Sequence, residues 1–216
     1  MDDAARQLQE GDQRLVAIVD AAGAAAARLA GDRLACRPGC SCCCVGPFPI
    51  TQLDAARLRL GLEELRSRDP RRARRVRERA RTAYAVMASD FPGNAGSGVL
   101  DEDETARDLF FERHERLPCP ALDPDTGCCD LYEARPLSCR TFGPPVRLDG
   151  EPLPPCILCF AGAPAQTVEA CRITLDLASA ESPLVRLAET RTGRSGETLV
   201  AMVLSEPPGG SRLSRR

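Results

Sequence analysis

Twelve cysteines stand in 216 residues, and most of them are crowded together. The stretch Cys36-Arg37-Pro38-Gly39-Cys40-Ser41-Cys42-Cys43-Cys44 holds five within nine residues. A second group follows at Cys119, Cys128, Cys129 and Cys139, with the pair Cys156 and Cys159 behind it. Two thiolates separated by two residues converge on one ion when the backbone between them turns tightly, and Cys40-x-x-Cys43 and Cys156-x-x-Cys159 both have that spacing. Thiolate is a soft donor that selects zinc, cuprous copper or iron–sulfur clusters over magnesium and calcium. Pro38-Gly39 before Cys40 and Gly127 before Cys128 supply the turns that such loops need. Loops this irregular bury little apolar surface, so a bound metal would provide the organising energy that packing does not.

Other uses of cysteine fit less well. Clustered disulfides belong to exported proteins. The N-terminal MDDAARQLQEG is acidic and polar, without the basic and apolar pattern of a secretory signal, and no apolar stretch approaches membrane-spanning length. The expectation is a reducing cytoplasm, no membrane partner, and thiols serving as ligands. Cys171 falls on an apolar face and reads as a small buried hydrophobe. Cys36-x-x-x-Cys40-x-x-Cys43 has the spacing of the radical S-adenosylmethionine cluster loop, but no strand–helix alternation of a β/α barrel surrounds it, and that reading is set aside.

Taken together, the two groups resemble the YkgJ-type cysteine-cluster family, whose CxxCxxCC domain is described as zinc- or iron-chelating. The upstream match is Cys36, Cys40, Cys43 and Cys44, with a first gap of three residues instead of two. The downstream match is Cys119-Pro120, Cys129-Asp130-Leu131-Tyr132, Arg135-Pro136 and Cys139-Arg140-Thr141-Phe142. Cys42 and Cys128 lie outside the pattern and rank below their neighbours as ligands. The resemblance implies metal binding and little about a reaction. A related domain in flagellin lysine N-methylases adds methyl transfer as an analogy alone. The metal-ligand set expected is Cys36, Cys40, Cys43, Cys44, Cys119, Cys129, Cys139, Cys156 and Cys159, the sulfurs of the two stretches sharing one inorganic centre. Four thiolates about Zn²⁺ or a cluster leave negative charge, which Arg37, Arg135 and Arg140 are placed to offset while donating to sulfur. An ion pair of Arg135 or Arg140 with Glu133 or Asp130 is an equal alternative. His114, the one histidine, reads as a solvated helix residue.

The elements that must position these thiols are helical. Leu8, Leu15, Ile18, Val19, Ala22, Ala26 and Leu29 mark one face of a first helix that Gly31 stops. Thr51, with Asp54 three residues on, caps a second, and Asp69-Pro70 opens a third. The third helix carries Arg71, Arg72, Arg74, Arg75, Arg77, Arg79 and Arg81, read as a solvated surface in preference to a nucleic-acid contact. Every basic side chain is arginine, the formal charge is −2, and the bias fits a GC-rich bacterial genome, so no nucleic-acid partner is expected. Residues 89–97 read as a loop, Leu109 to Phe111 as a short element, and Asp149-Gly150 as a hairpin turn. Thr167, Val168, Cys171, Leu175 and Ala178 read as one helix face, with Pro183 opening or kinking the next turn. Ser195 with Glu197 and Thr198 reads as the start of a last helix through Met202, with a short buried strand over the wholly apolar Leu199 to Leu204 as the close alternative.

The fold class expected is mainly α, with helices around an irregular cysteine-rich metal-binding core with short hairpins. Residues 1–206 read as a single domain with an Arg-rich helical insert over 52–90, and 207–216 as a disordered tail. Function divides between an iron–sulfur protein of unspecified reaction, preferred because more than four cysteines match the family pattern, and a non-enzymatic zinc-binding module for a protein partner. Metal storage or trafficking on Cys42, Cys43 and Cys44 is a third reading. No phosphate loop, Ser/His/Asp set or nucleotide-cofactor fingerprint is present.

Overall fold

The computed structural model describes residues 2–206, and the expected tail 207–216 lies outside the described residues. The fold is mainly α, 54% helical, with few short strands. The described chain forms two compact units, the first made of the chain through Cys43 with Leu137–Leu187, the second of Cys44–Pro136 with the chain from Ala188 onward.

In the first unit, α1 runs Asp3–Ala30, capped by Asp2, whose carboxylate accepts from the Ala5 N–H at 2.6 Å. It buries Leu15, Val19, Ala26 and Ala30, and it ends at Gly31, where φ is 54°. That positive φ explains the glycine stop. Helix α5, Leu137–Thr141, carries Cys139. A three-stranded sheet follows, built from β4 (Val146–Leu148), β5 (Glu151–Leu153) and β6 (Ile173–Leu175) in the order β5-β4-β6, with β4 parallel to β6. The β4–β5 hairpin turns at Asp149 (φ 49°) and Gly150 (φ 91°), two consecutive positive values of the type I′ class. The expected single helix face from Thr167 to Ala178 is corrected. Helix α6 covers only Ala165–Ala170, and the chain then enters β6. Ile173 and Thr174 are β-branched and pair with Val146 and Arg147, so strand pairing overrides the helical spacing. Helix α7, Ala178–Thr192, contains Pro183 within it. The Asp149 carboxylate accepts from the Leu177 and Ala178 N–H groups, joining the hairpin turn to the start of α7.

In the second unit, α2 (Gln52–Arg68) and α3 (Pro70–Met87) begin at the expected caps. Thr51 accepts from the Asp54 N–H at 3.2 Å and Asp69 from the Arg72 N–H at 3.0 Å. The segment 89–97 is not wholly loop, since β2 (Gly93–Asn94) pairs with β3 (Val99–Leu100). Helix α4 spans Glu104–Arg113. The helix expected from Ser195 through Met202 begins only at Val200, and the strand expected over Leu199 to Leu204 is confined to Thr198–Leu199. A two-residue β7 (Thr198–Leu199) pairs with β1 (Pro49–Ile50), and α8 (Val200–Ser205) follows. Leu58, Leu62, Val76, Val203 and Leu204 share one apolar cluster, and Met87, Phe91, Phe110, Leu199 and Met202 another.

Candidate metal centre

None of the twelve cysteines is bridged to another among the described residues. In the first unit, the 36–43 loop meets the Cys156–Cys159 turn. Cys36 Sγ lies 4.0 Å from Cys159 Sγ, and Cys42 Sγ lies 3.3 Å from Cys156 Sγ. A disulfide would hold such sulfurs at about 2.05 Å, so both are contacts between thiols. Local backbone explains the approach. Gly39 (φ 87°) lets the loop turn, with Cys40 N–H donating to the Arg37 carbonyl at 2.9 Å. The facing turn closes through Cys159 N–H to the Cys156 carbonyl at 2.8 Å, and Phe160 N–H ties it to the Arg33 carbonyl at 2.8 Å. Cys156 N–H donates to the Gly143 carbonyl at 3.0 Å. Gly143 itself has φ 128°, and a Cβ there would stand 2.7 Å from Cys36 Sγ, so the glycine makes room for that sulfur.

Cys156 and Cys159 are buried with Ala30, Phe160 and Cys171, whereas Cys36 and Cys42 belong to exposed residues. Cys171 is buried as expected, its thiol donating to the Leu29 carbonyl at 3.6 Å. Partial burial, then the neighbouring Cys159, pushes the Cys36 thiol up to about 12. The hydrogen bond with Cys156, then burial, does the same for Cys42, also to about 12. Cys40 acts electrostatically on both, and Cys43 on Cys42. A crowd of sulfurs resists holding several negative charges unless a cation joins them. Cys139 sits half-buried on α5.

The second unit holds Cys44, Cys119, Cys128 and Cys129. Cys119 N–H donates to the Cys44 carbonyl at 2.9 Å, next to a bridge between Val45 and Pro118, and Leu122 bridges to Cys129. Burial pushes the Cys119 thiol up to about 11, with Cys129 adding to the rise and backbone N–H groups of Ala121 and Leu122 opposing it. Cys129 is raised by burial against the pull of the Leu131 N–H, Arg135 and Arg72.

Charged partners hold these segments. Asp130 is buried, and α3 clamps it from two sides. Arg72 donates to one carboxylate oxygen and Arg79 to the other, while Arg79 also reaches the Pro120 carbonyl at 2.9 Å. The solvated-surface reading of α3 is corrected for Arg72, Arg77 and Arg79, which make internal pairs, whereas Arg71, Arg74, Arg75 and Arg81 are exposed. Arg57, buried and paired with Asp54 at 2.6 Å, donates to the Arg135 carbonyl at 3.0 Å. Arg135 lies over the Tyr132 ring, 3.6 Å from its centroid, and its charge reaches Cys129. Arg140 is buried and donates to both carboxylate oxygens of Asp20 on α1, at 2.7 and 2.8 Å, a partner outside the expected Glu133 or Asp130. His114 is buried, not solvated, its Nε2 3.1 Å from both Asp90 oxygens.

Sequence reasoning ranked Cys42 below its neighbours because it lies outside the family spacing, yet it makes the shorter of the two sulfur contacts. No spacing in the sequence singles out Cys42, because its approach to Cys156 is made by the fold of the loop. No three Cys, His, Asp or Glu side chains among the described residues are closed round one point as a finished ion cage. The donor set itself is all thiol, soft and without histidine, and it suits zinc or iron.

No curated protein and no solved structure matches the chain. A family model, CxxCxxCC, described as a “putative zinc- or iron-chelating domain”, matches residues 35–146. That match takes in just over half of the chain and both cysteine groups through Cys139, and the chain belongs to the CxxCxxCC family of YkgJ-type cysteine-cluster domains.

Proposed function

We propose that the protein is a metal-holding module in which thiolates from distant stretches gather zinc or iron, and that the metal orders loops whose own packing is thin. The observation that carries this reading is the meeting of unbridged sulfurs 123 and 114 residues apart, Cys36 with Cys159 and Cys42 with Cys156. Its proposed ligands are, in the first unit, Cys36, Cys40, Cys43, Cys139, Cys156 and Cys159, and in the second, taken by itself, Cys44, Cys119 and Cys129, with Arg135 beside Cys129 as a charge partner. Arg140, committed to Asp20, supports the loop through α1 and α5. When bound, the metal would supply a fixed positive charge and a coordination frame; these residues orient it and neutralise the excess of thiolate charge.

The form of the metal follows from how many thiols it uses. An iron–sulfur cluster is favoured by a ligand set larger than one ion takes, and a closed zinc site by the close sulfur pairs. Anaerobic purification followed by measurement of iron, zinc and acid-labile sulfide decides between them. Brown protein with matching iron and sulfide selects the cluster; colourless protein with stoichiometric zinc selects the closed site. Protein that carries neither and takes up neither overturns metal holding altogether.

A further inference from the structure

The sulfur geometry in the first unit is more specific than the family pattern. A tetrahedral ion with metal–sulfur bonds of about 2.3 Å sets its sulfurs about 3.8 Å apart. The contacts of 4.0 Å and 3.3 Å bracket that edge. In a cubane cluster each thiolate sits on a different iron, which spreads the sulfurs beyond a single tetrahedral edge. Both contacts join the same two segments, and they cross, the first loop thiol meeting the last turn thiol and the later loop thiol meeting the first. The four sulfurs therefore form two edges drawn from one loop and one turn.

We propose that Cys36, Cys42, Cys156 and Cys159 form a complete four-thiolate site for one soft divalent ion of the zinc class. This rests on the reading that the thiols take metal, and adds the ligand set and the stoichiometry. Cys156 and Cys159 lie beyond the matched residues 35–146, and Cys42 is outside the family spacing, so three of the four ligands are not those of the pattern. Two ligands are built into the fold. Cys156 and Cys159 are buried and held by hydrogen bonds to Gly143 and within their own turn. The other two ride on an exposed loop that turns at Gly39, with clearance for the Cys36 sulfur at Gly143. The two sulfur pairs are not gathered on one point among the described residues, so binding of the ion would have to bring them together.

The test uses the full chain purified without oxygen and loaded with Zn²⁺, and in parallel with Co²⁺, whose visible spectrum reports tetrahedral thiolate coordination. Cys42→Ser sits on the exposed loop and spares the core. It is expected to lose one metal equivalent per chain and the tetrathiolate cobalt spectrum while keeping its helical circular dichroism. Cys156→Ser is expected to lose the same equivalent. Cys171→Ala, in the same apolar cluster as Cys156 and Cys159, is expected to keep it, which separates ligation from packing. If Cys42→Ser keeps the parent's metal equivalents and cobalt spectrum, the four-thiolate assignment is overturned while metal holding stands. If the parent chain binds neither ion, both fall.

Discussion

At the residue scale, the carboxylate of Asp130 is as informative as any sulfur. It follows Cys129 directly, its side chain is 1% exposed, and Arg72 and Arg79 reach it from α3. A buried charge is tolerable only when it is paired, and removing one partner leaves the others desolvated without compensation. Asp130→Ala is expected to cost about 2–4 kcal/mol of unfolding free energy, read by urea denaturation, and to lower metal retention because Arg79 also fixes the Pro120 carbonyl beside Cys119. Loss of stability below about 0.5 kcal/mol would show that the clamp is only a surface pair. The sequence displayed Asp130 as part of a family run and α3 as a row of arginines, but nothing in either pattern announced that they meet. A charge run looks the same whether it faces water or one buried carboxylate 51 residues away. Cys42 illustrates the same limit, because spacing identifies which thiols match a known pattern, whereas proximity to Cys156 depends on how the loop folds.

At the element scale, legibility followed the local signals. Caps are encoded by the few residues that make them, so Gly31, Thr51 and Asp69 marked helix ends correctly. The Asp149-Gly150 turn was legible for the same reason. What failed was the stretch 167–178, where apolar spacing suited a helix and the β4 edge claimed Ile173–Leu175. The end of α8 offers a test in which pH has a sign. Glu206 accepts from Arg59 at 3.0 and 3.3 Å and pairs with Arg194, while its backbone carbonyl accepts from Arg77 at 2.7 Å. Burial pushes its carboxyl up, but the two guanidinium groups outweigh burial and hold it below the ordinary value of 4.5. A carboxyl lowered in the folded state stabilises fully above its unfolded pKa and loses that contribution as pH falls through the folded one. Glu206→Gln is therefore expected to cost about 1 kcal/mol at neutral pH, a figure kept small because the groups are partly screened by water. The gap from the parent should close as the pH drops below about 4. Denaturation midpoints of parent and variant measured across that range check it, and a gap that widens in acid would rule out the charge pairing.

At the scale of the whole molecule, the two units draw on different sources of order, and this makes metal removal a selective perturbation. The second unit has aliphatic and aromatic clusters of ordinary kind, with Leu58, Leu62, Val76 and Leu204 in one and Met87, Phe91 and Phe110 in the other. Burial of such side chains contributes roughly 1.5–3 kcal/mol each, so α2, α3 and α8 hold together without help from an ion. In the first unit, the cluster beneath the thiol loop buries Ala30, Phe160 and three cysteines, Cys156, Cys159 and Cys171, with Leu34, Ala35, Ala163 and Val168 only partly buried against it. Small, weakly apolar side chains give that region little transfer energy, and the segments over it, 34–43 and 143–160, are mostly turns and irregular backbone. Stability is local, and opening a segment costs only what its own contacts supply. Treating the metal-loaded full chain with a strong chelator is expected to speed amide hydrogen exchange in 34–43 and 143–160 by about tenfold or more, while amides of α2, α3 and α8 keep their protection. Mass-spectrometric exchange resolved to these peptides makes the comparison. Equal acceleration in both units would mean that the ion supports the entire fold, and unchanged exchange in the cysteine segments would mean that they are ordered by their backbone hydrogen bonds alone, leaving the metal no structural role.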